Sequence, residues 1–145
     1  MIFSKACEYG VRSALFISSR TDDGFVSIRK IGEELDISHH FLTKVLQDLT
    51  KAGLMKSLRG PNGGVALNRS PESIFLFEIV VAIDGHDRFE GCILGLPGCG
   101  DQSPCPLHDY WEGVRDGVRE KFENVNLDEL ARRIDEEGLR LSSLV

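Results

Sequence analysis

From Ser4 onward apolar side chains recur at three- and four-residue steps between short polar breaks, a rhythm that predicts a run of helices. The first spans about Ser4 to Ser19, with Ala6, Val11, Ala14, Leu15 and Ile17 on one face and Ser4 as N-cap. Thr21-Asp22-Asp23-Gly24 reads as a turn and Phe25-Val26 as a short extended piece. Ser27 caps a second helix through Leu35, with Ile28, Ile31 and Leu35 at helical spacing. After a tight break at Asp36-Ile37, Ser38 caps a third, from His39 to about Ala52. Phe41, Leu42, Val45, Leu46 and Leu49 point inward there, and Gly53 closes it.

The rhythm then changes. Leu54–Leu58 and Val65–Leu67 read as two short strands around the loop Arg59-Gly60-Pro61-Asn62-Gly63-Gly64. Pro71 and Glu72 open a connection to a nearly all-apolar helix, Leu76 to Asp84, stopped by Gly85. Helix, turn, helix and glycine-rich hairpin make the winged form of the helix-turn-helix. The second helix of such a pair enters the major groove, and the wing reaches adjacent phosphates. The polar positions that would do so here are Ser38, His39, His40, Thr43 and Lys44 at the start of the third helix, with Arg59, Gly60 and Asn62 in the wing.

Charge refines this picture. The 145 residues carry a net charge of −6, which speaks against indiscriminate binding of a polyanion. Residues 1–70, however, hold ten Lys/Arg against seven Asp/Glu, and residues 71–145 hold seven against sixteen. Within 38–69, Lys44, Lys51, Lys56, Arg59 and Arg69 face Asp48 alone. A locally basic winged module therefore sits beside an acidic remainder that should point away from DNA. No apolar run is long enough to cross a bilayer, and Lys5, Glu8 and Arg12 interrupt the first segment, so a cytoplasmic protein is expected.

Three of the four cysteines fall in the glycine- and proline-rich stretch Gly91 to His108, spaced Cys92-x6-Cys99-x5-Cys105 and followed after two residues by His108. Long loops without structure of their own are usually functional, and clustered thiolates suit a soft metal or an iron–sulfur cluster. Zinc also accepts three Cys and one His, though its sites usually use tighter spacings. Cys105 is expected at the N-cap of the next helix, where backbone amides favour a thiolate, with His108 one turn in on the same side. Incidental cysteines are the bland alternative, but exposed free thiols are a liability. Cys7, among apolar neighbours on the first helix, reads as packing.

From Pro106 to Val125 a long helix carries Leu107, Trp111, Val114, Val118, Phe122 and Val125 at helical steps, with Gly113 and Gly117 on another face. It has no evident partner in its own chain, so a homodimer packing this helix against its twin is expected. Asn126 and Glu129 then form an N-x-x-E start for a last helix bearing Leu127, Leu130, Ile134 and Leu139, and 141–145 reads as a frayed tail. The expected architecture is mainly α with a small β-hairpin wing. The winged domain covers 1–84, the cysteine loop 85–105, and the dimerisation and C-terminal helices 106–145.

Ile37-Ser38, Gly53-Leu54, Arg59-Gly60-Pro61 with Gly63-Gly64, Glu78, Ala82-Ile83-Asp84, and Cys92, Cys99, Cys105, His108 and Trp111 form a pattern over about residues 1–126. It resembles the bacterial winged-helix regulators of the IscR, NsrR and RirA type. That resemblance implies a dimeric DNA-binding regulator, expected to act as a repressor, with Cys92, Cys99 and Cys105 as cluster ligands. It also implies a fourth ligand: His108 in the IscR-like manner, giving a 2Fe–2S cluster, or Glu8 from the partner subunit in the NsrR-like manner, giving 4Fe–4S. The 2Fe–2S site with His108 is favoured, because His108 lies on the same segment as Cys105. Two departures stand out. Six residues separate the first two cysteines where five are usual, and Thr43-Lys44 replaces the acidic–amide pair of IscR, which implies a different operator preference.

The function expected is regulation of transcription from a double-stranded operator, sensing iron–sulfur status, redox state or nitric oxide. A thiol switch or zinc site in the same dimer is one alternative. An iron–sulfur electron-transfer or carrier module is another, which would leave the basic winged half without a purpose. No nucleophile–base motif or phosphate loop points to an enzyme.

Overall fold

Three serines start the first three helices. The Ser4, Ser27 and Ser38 hydroxyls accept the amide N–H of Cys7, Lys30 and Phe41, at the heads of α1 (Lys5–Ser18), α2 (Ile28–Leu35) and α3 (His39–Lys51). Each such cap contributes about 1 kcal/mol. The computed structural model describes residues 2–20 and 24–142. The expected turn at Thr21-Asp22-Asp23 and the tail residues 143–145 lie outside the described residues.

Asp36 reverses the chain between α2 and α3 in a single left-handed residue (φ 56°, ψ 52°), and Ile37 is buried immediately after it. This tight turn lays α3 against α1 and α2 through Leu42, Val45, Leu46 and Leu49, all at most 1% exposed. Gly10 of α1 faces Val45 and Ile83, where an added Cβ would leave no room for the Ile83 side chain as it stands. Phe41, expected inside, is 40% exposed. It stands in the first turn of α3, where only the edge of Tyr9 reaches it, with ring centroids 5.2 Å apart.

β1 (Met55–Leu58) and β2 (Gly64–Leu67) pair antiparallel, Met55 opposite Leu67 and Leu58 opposite Gly64. Val26 and Val65 exchange two backbone hydrogen bonds of 2.9 Å, tying the wing to the segment that leads into α2. Gly64 (φ 155°) is required there, because a Cβ would run into the carbonyl of Val26.

After a 3-10 turn (Pro71–Ser73), α4 (Leu76–Asp84) crosses beneath α1. Leu76, Ile79 and Val80 are buried, while Phe77, Val81 and Ile83 are covered only in part. Glu78 accepts the N–H of Phe75 and an ion pair from Arg69 at 2.9 Å. Burial pushes its carboxyl up, but Arg69 and that N–H outweigh burial and hold it low.

A short α5 (Asp87–Glu90) follows; four residues are too few to show a period, so the sequence pattern does not reveal it. Its Phe89 is 2% exposed and packs with Phe3, Phe77 and Phe122 at centroid distances of 4.9–6.0 Å. α6 (His108–Asn124) therefore does have partners within its own chain. Val118 and Phe122 dock it on α4 and α5, because the end of α4 presents an apolar face there. The first half of α6 leaves Leu107, Tyr110 and Val114 exposed at 40%, 78% and 53%.

α7 (Leu127–Glu137), started by the Asn126 side chain accepting the Glu129 N–H, returns to the winged core, where Leu127 is fully buried. Leu130 and Ile134 cover that core, but Leu139 is 42% exposed, past the glycine that ends the helix. Leu141 is not frayed: it packs on the core, and its carbonyl accepts a 2.6 Å hydrogen bond from Arg12.

Gly64→Ala is expected to lower stability by about 1–3 kcal/mol through backbone strain and loss of the Val26–Val65 pairing. Urea unfolding should show a lower midpoint with an unchanged slope.

Candidate nucleic-acid interface and metal centre

α3 and the wing border an open cleft of about 790 Å³ on the basic side of the molecule. His39, Thr43, Arg59 and Gly60 line it, as does Arg29 from α2. Ser38, His40, Lys44 and Asn62 are exposed on its flanks rather than in its wall. Ser38 is occupied as the cap, and Thr43 Oγ1 donates to the His39 carbonyl at 2.8 Å. Gln47 and Lys51 also line the cleft. They continue the four-residue step from His39 and Thr43, a signal in the sequence that points to them. Arg29 carried no such signal; the pairing of Val26 with the wing brings it there, ion-paired to Glu33 at 2.9 Å.

Behind the winged core, the loop between α5 and α6 is pinned at its start. Trp111 Nε1 donates to the Gly91 carbonyl at 3.0 Å, and Arg115 to the Glu90 carbonyl at 3.1 Å. Gly95 and Gly98, at φ 69° and 72°, turn the chain inside it. The three sulfurs of Cys92, Cys99 and Cys105 lie within 4.8 Å of one another. Cys92 Sγ is 3.6 Å from Cys105 Sγ, and Cys99 Sγ is 3.7 Å from His108 Nδ1. The amides of Leu94 and Cys105 donate to Cys92 Sγ and Cys99 Sγ, each at 3.4 Å.

Cys105 is not a helix N-cap. α6 starts at His108 with Leu107 before it, and the Cys105 carbonyl accepts the His108 N–H in a separate turn. Loop amides do the work expected of the helix end. The Leu96 N–H, together with that of Leu94, draws the Cys92 thiol down to about 7. The Cys105 N–H pulls Cys99 the same way, but burial and the neighbouring thiols outweigh it and the net shift is upward. A cavity of about 360 Å³ opens on Cys92, with Asp87, Arg88, Ile93 and Trp111 in its wall.

His108 turns its other nitrogen to carboxylates: Nε2 is 3.2 Å from Asp101 and 3.7 Å from Glu112. Glu112 was findable as an acidic residue four places beyond a histidine on one helix face. Asp101 had no signal, since only the folded loop brings it near. Glu8 is paired with Lys5 at 3.2 Å on α1, and a role for it through the partner subunit lies beyond a single chain.

Three thiols gathered within 4.8 Å of one another, with an imidazole nitrogen beside one of them, form a soft-donor set. It fits either a thiophilic metal ion or an iron–sulfur cluster. A winged helix-turn-helix joined to such a loop and a long helix is the architecture of a class of transcriptional regulators. The chain belongs to the Rrf2 family, iron-dependent transcriptional regulators, whose family model matches residues 3–133. It is 31% identical over 122 residues to the HTH-type transcriptional regulator IscR of Pectobacterium carotovorum, covering 84% of this chain and 74% of that one. Its fold is similar to that of CymR, the global cysteine regulator of B. subtilis (TM-score 0.74, 27% identity, 90% of this chain and 95% of that one). It is equally similar to T. potens IscR (TM-score 0.74, 26% identity, 94% and 90%). The IscR-type resemblance and the winged-helix architecture read from the sequence thus hold. Among the described residues no helix is long and apolar enough to cross a membrane.

Cys7 is set apart from the other thiols. It is 1% exposed, and burial, with Asp84 nearby, pushes it up to about 12 from an ordinary value of 9.0. At pH 8, iodoacetamide should alkylate the three loop cysteines of metal-free protein and reach Cys7 only after unfolding, as read by mass spectrometry. The unfolded chain releases this proton near pH 9 and the folded chain near 12. The Cys7 contribution to stability is therefore complete below pH 9 and is lost as pH rises toward 12.

Proposed function

We propose that the protein is a homodimeric repressor of transcription that binds a palindromic double-stranded operator and carries a 2Fe–2S cluster on Cys92, Cys99, Cys105 and His108. The observation that carries this reading is the convergence of those four donors. They fall into two pairs, Cys92 with Cys105 at 3.6 Å and Cys99 with His108 at 3.7 Å. Two bonds of about 2.3 Å at a tetrahedral centre leave their donors about 3.8 Å apart, so each pair has the width of a two-donor chelate. The two-iron assignment follows the resemblance to IscR-type regulators, in which a histidine at the place of His108 completes the ligand set. When bound, the cluster supplies a centre sensitive to redox state, iron supply and nitric oxide.

The chain's own residues carry that state to DNA. Trp111 and Arg115 tie the loop to α6, and Val118 and Phe122 tie α6 to the winged core. Tyr110 and Val114, with the open surfaces of Gly113 and Gly117, provide the face for a second copy. The two α3 helices then enter successive major grooves, with His39, His40, Thr43 and Lys44 toward bases and Arg59, Gly60 and Asn62 at the backbone. Coupling of this kind is typically worth 1–3 kcal/mol.

A second reading keeps the DNA-binding dimer and replaces the cluster by zinc or a thiol switch. It is favoured by the mutual approach of all three sulfurs, which lie within 4.8 Å of one another. Iron, zinc and acid-labile sulfide per dimer, measured on anaerobically prepared protein, separate the two. Reconstituted protein should absorb in the visible, and Cys92→Ala should abolish the band and the response of operator binding. If Cys92→Ala binds DNA and responds as the wild type does, the sensor reading is wrong.

Arg59→Ala is expected to weaken binding evenly across operator sequences and to reduce the salt slope by about 1, as removal of a phosphate contact does. Gel shifts at several salt concentrations on the protein's own promoter measure both.

A further inference from the structure

We infer that Asp101 and Glu112 are positioning residues for His108: they hold its Nε2 as the protonated nitrogen and thereby deliver Nδ1, unprotonated, to the metal gathered by the three thiolates. The inference rests on the proposed ligand set and assigns roles to two residues outside it. A neutral imidazole has one N–H and one lone pair, and only the nitrogen with the lone pair can ligate. Here the two nitrogens face opposite chemistries. Nδ1 looks toward Cys99 Sγ at 3.7 Å. Nε2 looks toward Asp101 Oδ1 at 3.2 Å and Glu112 Oε2 at 3.7 Å. Ionised carboxylates only accept hydrogen bonds, so the nitrogen facing them carries the proton.

The two carboxylates come from different elements. Glu112 stands one turn along α6 from His108, and Asp101 stands in the loop between Cys99 and Cys105. The ring is therefore held from the helix side and from the loop side, and its side chain is only 11% exposed. The Asp101 contact also brings the middle of the loop to the start of α6, next to the thiol with which His108 pairs. A carboxylate behind a ligating histidine fixes the ring and strengthens it as a donor, and loss of such a partner typically costs 10–100-fold in metal affinity.

The test uses full-length, metal-free protein titrated anaerobically with Co(II). Sulfur-to-cobalt charge transfer reports the thiolates, and the ligand-field bands report the fourth donor. The double variant Asp101→Ala, Glu112→Gln should bind 10–100-fold more weakly. Its ligand-field bands should move toward those of His108→Ala, while charge transfer per bound Co(II) and thermal unfolding of the metal-free form stay unchanged. Asp101→Asn, whose amide oxygen still accepts the Nε2–H, should recover most of the affinity. Wild-type affinity and ligand-field bands in the double variant overturn this inference alone. Identical spectra for wild type and His108→Ala overturn it together with the proposed ligand set, so the two failures are distinct.

Discussion

The packing of Phe89 against Phe122 is the constraint on which the cysteine loop depends. It fixes the end of α5 against the last turn of α6, and Trp111 on the Gly91 carbonyl then closes the 17-residue segment between Glu90 and His108. Closing a loop of that length costs roughly 2.5 kcal/mol in chain entropy. Burying one phenylalanine is worth about 1.5–3 kcal/mol, enough to offset it. With the segment closed, three thiols meet in a stretch without regular structure, beside the imidazole of His108 at the start of α6. The same phenylalanine packs with Phe3 and Phe77, so the loop is anchored to the end of α4 and the approach to α1 rather than to α6 alone.

The division of charge follows the same architecture. α3 and the wing present cations around one cleft, while the acidic excess lies on the elements after residue 70. Some acidic side chains there are paired along helices. Arg119 meets Glu123, Arg132 meets Asp128 and Arg133 meets Glu137, each four residues apart. Such exposed pairs add little to stability, so their main effect is to temper the negative field of the second half. A net charge of −6 is therefore no obstacle to a basic DNA-facing surface on the same chain.

Much of this was legible in advance. The serine caps, the apolar stripe of α3, the break at Asp36 and the glycine-rich wing are local features, because capping, turn conformation and helical period act over four residues or fewer. The cysteine and histidine spacing identified the candidate ligands for a similar reason: soft donors crowded in one irregular segment have few other uses. Misplaced features share a cause. Phe41 and Leu139 fit an apolar period, yet the fold leaves them 40% and 42% exposed. Leu141 lacked a period but found a partner in Arg12, distant in sequence.

The amino-acid order thus set the elements, the wing and the candidate donors, all of which follow from neighbours along the chain. Three-dimensional packing settled which donors pair and where the loop is held. It also settled that Loop amides rather than a helix end face the Cys92 thiol, and that α6 leans on α4 and α5 while its first half stays open. Those outcomes depend on contacts that a period does not encode, such as Phe3 with Phe122, far apart in sequence, and Asp101 with His108 across a loop that a fold must first shape.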